Sequence, residues 1–185
     1  MQRRLFVGGL VSMATSAMLT RTSLSAADMT EIESLQNNWR DFLSAELEVP
    51  LPATPLQESL TDWQKRLPPK AFQVLFEEAT EPPFSSPLND EKRAGLFLCA
   101  ACDLPLFSSA MKYDSGTGWP SFFTSIPNHL GTKTDLKLIW PRTEYHCVRC
   151  NGHQGHVFDD GPAPTRQRWC NNGLALRFVA STNKT

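Results

Sequence analysis

The chain carries almost no net charge. Its 18 lysines and arginines stand against 19 aspartates and glutamates, so nothing in the balance recommends a nucleic-acid backbone or an acidic partner. No apolar run reaches the roughly 18–20 residues of a membrane span. There is no internal repeat and no low-complexity tract, so a solenoid or a disordered array is not indicated. No acidic residue occurs before Asp28, and the five cysteines leave one without a sequence neighbour. The 185 residues and a 41% apolar content suit one soluble domain with a core and some additional sequence.

The acid-free start has a layout of its own. Arg3 and Arg4 precede an apolar stretch from Leu5 to Leu19, and small residues follow at Ser25, Ala26 and Ala27. A charged region, a short apolar region and a small-residue cleavage site describe an export signal over residues 1–27. The paired arginines before Leu5-Phe6 resemble a bacterial twin-arginine signal, which predicts a periplasmic or secreted protein with no membrane segment after processing. A membrane anchor or a mitochondrial presequence is the alternative. Removing residues 1–27 takes away three arginines and no acid, which leaves 15 cationic against 19 acidic side chains, a net −4.

Residues 28–56 read as a helical extension and a proline-rich linker. Ile32, Leu35, Trp39, Phe42 and Leu43 recur at helical spacing, and Thr30 with Glu33 matches a capping box. Pro50, Pro52 and Pro55 then forbid a continuous helix. The extension is expected to do no more than pack. The main domain runs over 57–180, with a tail at 181–185. It opens with two short helices, one capped by Thr61 and Gln64 and one with Phe72, Leu75, Phe76 and Ala79 along a face. Beyond Gly95 come short candidate strands: "GLFLC", "DLPLF", "LKLIW", "EYHCV", "GHVF" and "GLALRFV". The last alternates Leu174, Leu176 and Phe178 against Ala175 and Arg177. Helices followed by many strands predict an α+β fold, mainly β and antiparallel.

Four cysteines fall into "CAAC" (Cys99, Cys102) and "CVRC" (Cys147, Cys150). Two tight turns of this kind complete a tetrahedral four-thiolate zinc site. All four positions would be filled by protein, so the metal would be structural. Disulfides suit an exported protein, and one pair could be a thioredoxin-like redox motif, although neither lies in a βαβ pattern. His146, beside Cys147, is a possible substitute ligand.

Cys170 remains. On an extended strand Arg168, Cys170 and Asn172 share a face, with Arg166 continuing it. A cation beside a thiol favours the thiolate, the nucleophilic form. "CNGHQGHVFDDG" adds His153, His156, Asp159 and Asp160, where a histidine could move protons as an oxygen leaves a substrate. "YDSGTGWPSFF" adds Trp119, Phe122 and Phe123 among glycines, a plausible wall for a small apolar pocket. Each also has a plain structural reading: a lone cysteine as a small hydrophobe, tryptophan as core, loop histidines as surface.

The stretches "TEPPFS", "LFLCAACDLPLFSSAMKYDSGTGWPSF", "HCVRCNGHQGHVFDDGPAPT" and "RWCNNGLALRF" occur in order over about two-thirds of the chain. Together they resemble the B-type methionine sulfoxide reductases, which reduce the R epimer of methionine sulfoxide. The resemblance implies two antiparallel three-stranded sheets forming a barrel-like core with N-terminal helices. It implies a structural zinc on Cys99, Cys102, Cys147 and Cys150. It makes Cys170 the nucleophile, with Trp119, His153, His156, Arg168 and Asn172 around it.

The implied chemistry suits those side chains. The Cys170 thiolate attacks the sulfoxide sulfur, an acid protonates the oxygen, and a sulfenic acid remains. Trp119 would hold the ε-methyl group, and His156 or His153, through a water, would supply the proton. The partners would be oxidised protein or peptide methionine and an external thiol reductant, either a thioredoxin-like protein or a small thiol. The protein is expected to be a monomer. Gln154 and Trp169 depart from the leucine and tyrosine common in the family. Thr117 stands where many members carry a resolving cysteine. A zinc-containing β module that binds a peptide with Cys170 inert is the rival from another class, and a thiol peroxidase is the rival among enzymes.

Overall fold

The computed structural model describes residues 25–43, 47–51, 53–137 and 140–182. Residues 1–24 of the expected signal lie outside the described residues. Helix α1 (Ala26–Asn37) overlaps its last two positions. Its N-cap is Ser25, whose hydroxyl accepts from the Asp28 backbone N–H while the Asp28 carboxylate accepts from the Ser25 backbone. This is the capping box. It lies one turn before the Thr30–Glu33 pair, and Thr30 instead donates to the Ala26 carbonyl. A 3-10 turn, Asn38–Phe42, carries Trp39 into the core, edge-on to His129 at 5.7 Å between ring centres. Gln36 donates to Thr124 at 2.7 Å, and the Leu56 N–H reaches the Arg149 carbonyl at 2.6 Å. The extension therefore packs against the domain.

Helix α2 (Leu60–Arg66) starts at Ser59, not at Thr61, because the Ser59 hydroxyl is the one that accepts from a first-turn N–H, that of Asp62. Helix α3 (Pro69–Glu77) begins on a proline, which loses no hydrogen bond in the first turn. It buries Phe72 and Leu75 from the predicted apolar face and ends where Glu78 turns left-handed. The Leu75 side chain lies against Gly152, where an added Cβ would meet it at 2.9 Å. Glycine there lets the helix approach the Cys147–Cys150 turn.

Among the described residues nine strands follow: β1 (Gly95–Cys99), β2 (Pro105–Ser108), β3 (Lys112–Tyr113), β4 (Ser121–Phe122), β5 (Leu130–Asp135), β6 (Arg142–Cys147), β7 (His153–Phe158), β8 (Arg168–Asn171) and β9 (Leu176–Ala180). They form two antiparallel sheets, one ordered β2-β1-β9 and one ordered β3-β4-β8-β7-β6-β5. The arrangement is barrel-like without closing. The second sheet holds six strands where the resemblance implies three, because the two-residue strands β3 and β4 and the hairpin strand β5 extend it. Two further expectations change. Of "LKLIW", Leu138 and Ile139 lie outside the described residues, and Leu136 and Trp140 are not in a strand but 72% and 79% exposed between β5 and β6. "GLALRFV" opens with a 3-10 turn at Gly173–Ala175, so β9 starts only at Leu176.

Aromatic side chains join the sheets. Phe107 of β2 stacks on Phe122 of β4 at 3.9 Å with 6° between the planes, and Phe97 of β1 meets Phe122 edge-on at 5.0 Å. Such contacts contribute about 0.5–1.5 kcal/mol each beyond the area they bury. Phe122 is fully buried and belongs to this core, not to a pocket wall.

Candidate active site and metal centre

The two Cys-x-x-Cys turns converge. Cys99 ends β1 and Cys102 lies in the β1–β2 turn, while Cys147 ends β6 and Cys150 lies in the turn after it. Their four sulfurs lie within 4.8 Å of one another, with Cys99–Cys150 and Cys102–Cys147 at 3.5 Å, and none is in a disulfide. A tetrahedron of Zn–S bonds near 2.3 Å has sulfur–sulfur edges of about 3.8 Å. The cluster fits one soft metal ion, and a four-thiolate donor set suits zinc or iron. It does not fit two disulfides. All four cysteines are buried. His146 is not part of this cluster; its ring lies over Gly131 instead.

Cys170 sits elsewhere, on β8, paired across to Ser121 of β4 and His156 of β7. It opens into a cavity of about 230 Å3 lined by Thr117, Trp119, Arg142, His156, Arg168 and Asn172 among others. That is smaller than the ~300–1,000 Å3 pockets that enclose a drug-sized ligand, and suits one side chain. Four of the five residues expected around Cys170 are therefore at the cavity. The fifth, His153, is behind it: the ring is buried, meets His156 at 5.5 Å between centres, and places Nδ1 2.9 Å from Glu144 Oε1. Arg166 does not continue the face. It occupies a left-handed turn position, where its N–H closes on the Pro162 carbonyl.

The electrostatics differ from the simple expectation. Burial pushes the Cys170 thiol up, and this outweighs the Arg168 charge and the hydrogen bonds from Thr117 and Arg168, which favour the thiolate. One reason the cation is weak is that Asp160 already holds it, by two bonds of 2.8 and 2.9 Å. The Asp160 charge also works against the thiolate. Burial therefore tips Cys170 toward the thiol form.

His156 is set by Asp135. The carboxylate accepts from the Lys137 N–H at 2.9 Å, from Arg142 at 2.5 Å and from His156 Nε2 at 2.8 Å. These partners hold its carboxyl well below the usual carboxylate range, so it must accept from Nε2. Burial pushes His156 down, against the pull of Asp135. The ring is neutral with its proton on Nε2, and Nδ1 is left as a base.

Glu81 was missed in the sequence, although it lies in the quoted "TEPPFS". Its backbone carbonyl accepts from Trp119 Nε1 at 3.1 Å and its N–H donates to Asn172 Oδ1 at 3.1 Å. Its carboxylate takes the N–H groups of Gly173 and Leu174 at 2.5 and 3.0 Å. One residue thus fixes both the indole and the chain after Cys170. Asp135 and Arg142 were also missed, because the hairpin that brings them together is not encoded locally. No helix among the described residues is long and apolar enough to cross a membrane.

A mainly β domain clipped by four cysteines, with a separate thiol beneath a tryptophan and a histidine, defines the class. The SelR domain family matches residues 67–180, and the chain belongs to that family, the B-type methionine sulfoxide reductases. Methionine-R-sulfoxide reductase B2, mitochondrial, of Rattus norvegicus is 48% identical over 134 residues, covering 68% of this chain and 77% of that protein. Peptide methionine sulfoxide reductase MsrB of Pseudomonas putida is 45% identical over 124 residues, 66% of this chain and 93% of its own. Peptide methionine sulfoxide reductase B1, chloroplastic, of Arabidopsis thaliana is 46% identical over 123 residues, 66% of this chain. The match spans 61% of the Arabidopsis protein. Among solved structures, the Mis18 "Yippee-like" domain covers 49% of this chain at 18% identity and a TM-score of 0.39, too low to bear on the fold.

Proposed function

We propose that the chain reduces the R epimer of methionine sulfoxide in oxidised peptides and proteins, with Cys170 as nucleophile. One observation carries the reading: Cys170 lines a cavity the size of a side chain together with Trp119 and His156. The names of the relatives support the reaction class.

Trp119, its indole N–H fixed on the Glu81 carbonyl, offers a ring face for the ε-methyl group. The Cys170 proton passes to His156 Nδ1 and from there to the sulfoxide oxygen, while Sγ attacks the sulfoxide sulfur. The sulfur–oxygen bond breaks and Sγ takes the oxygen. The methionine sulfur gains an electron pair, and thiol plus sulfoxide becomes sulfenic acid plus thioether. No outside proton is consumed, which suits a resting thiol. Arg168, held by Asp160, and Thr117 stabilise the thiolate in transit. Asn172 fixes the strand end, and His153 positions the His156 ring.

Cys99, Cys102, Cys147 and Cys150 hold a structural zinc, which ties the β1–β2 turn to the end of β6 and supplies no chemistry to the reaction. The sulfenic acid is reduced by an external thiol, because the other four cysteines of the chain are the metal ligands. The reading includes export by a twin-arginine route, supported by Arg3, Arg4 and the small residues at 25–27. Arg3→Lys with Arg4→Lys is expected to retain the protein inside a bacterial host; undiminished export would point to the general secretory route.

The deciding assay offers R and S sulfoxide peptides to the parent and to Cys170→Ser. Turnover of the R epimer is expected to fall at least about a thousandfold in the variant, as when other enzymes lose their nucleophile. Equal turnover of both epimers, or activity surviving in Cys170→Ser, sinks the reading.

A further inference from the structure

Gln154 is fully buried, yet it is a primary amide in the middle of a sheet. Its place in β7 is irregular. Tyr145 pairs with Gly155 and His146 with His153, so one step on β6 spans two on β7 and Gln154 is the extra residue of a β-bulge. A bulge re-aims a side chain. Here His153, Gln154 and Gly155 are all buried, and the Gln154 side chain is directed at the metal cluster, with Nε2 3.4 Å from Cys99 Sγ.

The other end of that amide faces the strand of the nucleophile. Gln154 Oε1 accepts from Asn171 Nδ2 at 3.3 Å, and Asn171 Oδ1 accepts from the Tyr145 hydroxyl at 2.7 Å. The Gln154 backbone carbonyl accepts from the Asn172 N–H at 2.8 Å and from Asn172 Nδ2 at 3.1 Å. Asn171 and Asn172 are the two residues directly after Cys170. The donors run from Tyr145 to Asn171, from Asn171 to Gln154 and from Gln154 to Cys99, and Asn171 Nδ2 donates as well to the Asn172 carbonyl at 2.8 Å. A metal-bound thiolate has no proton and only accepts, so it fixes which end of the amide faces it and, through that, the orientation of Asn171.

We propose that Gln154 is a positioning residue that ties the four-cysteine metal site to the strand bearing Cys170, so that metal held by Cys99 sets the order of Asn171 and Asn172 and the reactivity of Cys170. The inference rests on the reading of Cys170 as nucleophile and of the cluster as a metal site. Its physical content is twofold. The N–H donor withdraws charge from the Cys99 sulfur, as outer partners do for metal ligands generally. The same amide removes the freedom of the two residues that hold Cys170 in place.

Gln154→Met keeps an unbranched side chain of similar volume and removes both the donor and the acceptor. In full-length metal-loaded protein, transfer of zinc to a chromogenic chelator is expected to be about tenfold faster than in the parent. With cobalt in place of zinc, the sulfur-to-metal charge-transfer band is expected to move to longer wavelength, because the sulfur lone pairs lose their donor. Alkylation of Cys170 by iodoacetamide at fixed pH is expected to be about two- to tenfold faster, the equilibrium worth of one hydrogen bond. A packing role alone moves neither the cobalt band nor the alkylation rate at a temperature where both proteins are fully folded. Unchanged zinc release and an unchanged band overturn the link to the metal. Changed release with unchanged Cys170 alkylation overturns the link to the nucleophile.

If Gln154→Met does not fold, the parent loaded with a spin-active cadmium isotope still decides. A Gln154 side-chain amide proton is expected to couple to the metal across the hydrogen bond, and absence of coupling overturns the proposal. A parent that binds metal and reduces the R sulfoxide, with no effect of Gln154→Met on any readout, rejects this inference and leaves the function standing. A parent that does neither rejects both.

Discussion

The molecule holds its cysteines in two opposite environments. Cys99, Cys102, Cys147 and Cys150 are buried, face one another at 3.5–4.8 Å, and sit on turns whose backbone closes on itself, with the Asp103 N–H on the Cys99 carbonyl and the Asn151 N–H on the Cys147 carbonyl. Cys170 is half-buried in a strand, lies outside the four-sulfur cluster, and faces a cavity lined by Thr117, Trp119 and His156. In the first set the four sulfurs converge where a single metal ion could take them all. The second is available because its neighbours are donors and bases that cannot bond to it covalently. Sulfur is present in both places, and geometry alone separates four converging sulfurs that could hold one metal ion from one sulfur that opens into a cavity.

The sharpest way to break the comparison is to remove the clip. Structural zinc sites contribute on the order of 10 kcal/mol to the folding of small domains. Cys147→Ser, or exhaustive chelation, is expected to unfold the domain and to abolish activity with it. Cys170→Ser is expected to keep the metal and the melting temperature while losing turnover. Far-ultraviolet circular dichroism with elemental analysis separates the cases. A folded, metal-free Cys147→Ser protein with parental stability would show that the cluster is not structural.

How far the two regions could be read from sequence differs in the same way. The metal cluster was fully legible, because each half is a local spacing and four thiols at short range have few alternatives. Cys170 with Arg168 was legible as a strand face. What the sequence did not reveal are the partners brought by long-range pairing: Asp135 meets His156 across the β5–β6–β7 hairpins, and Glu81 reaches Asn172 across 91 residues. Arg168 does favour the Cys170 thiolate, as the sequence suggests, but burial works the other way and outweighs it. The neighbouring arginine was visible, but its neutralisation by Asp160 and the burial of the thiol were not. Strand identity failed at Leu136 and Trp140, which lie exposed outside any strand, because composition does not encode exposure. It also failed at β3 and β4, two residues each, which are below the length at which alternation can be seen.

A smaller change should convert one environment toward the other. Thr117 lines the same cavity as Cys170 and favours its thiolate, so the two side chains face one space. Thr117→Cys is expected to capture the sulfenic acid after one turnover without reductant, as an intramolecular disulfide between the introduced thiol and Cys170. In the parent the same experiment is expected to leave a sulfenic acid that dimedone labels. Mass spectrometry distinguishes the products. A parental disulfide between Cys170 and any of the four cluster cysteines would contradict the separation of the two environments.

The smallest expected effect tests what tips Cys170 toward the thiol form. Burial raises its pKa, Arg168 and Thr117 lower it, and the Asp160 charge raises it again. Replacing that charge in Asp160→Asn leaves the burial unchanged and frees the Arg168 charge to act on sulfur, so the pKa of Cys170 must fall. The Asp160 side chain is 62% exposed, and solvent screens its influence. The shift should therefore be small, and alkylation of Cys170 below its pKa should rise about two- to fivefold. The effect should shrink as salt is raised, because the removed interaction is partly exposed. Asp160→Glu keeps the charge and is expected to keep the parental profile if the longer side chain still reaches Arg168. The measurement is the pH dependence of iodoacetamide alkylation in the three proteins. An Asp160→Asn profile displaced to higher pH would mean that Asp160 acts mainly by holding the Arg168 guanidinium against the sulfur, and that the pair, not the free cation, is what favours the thiolate.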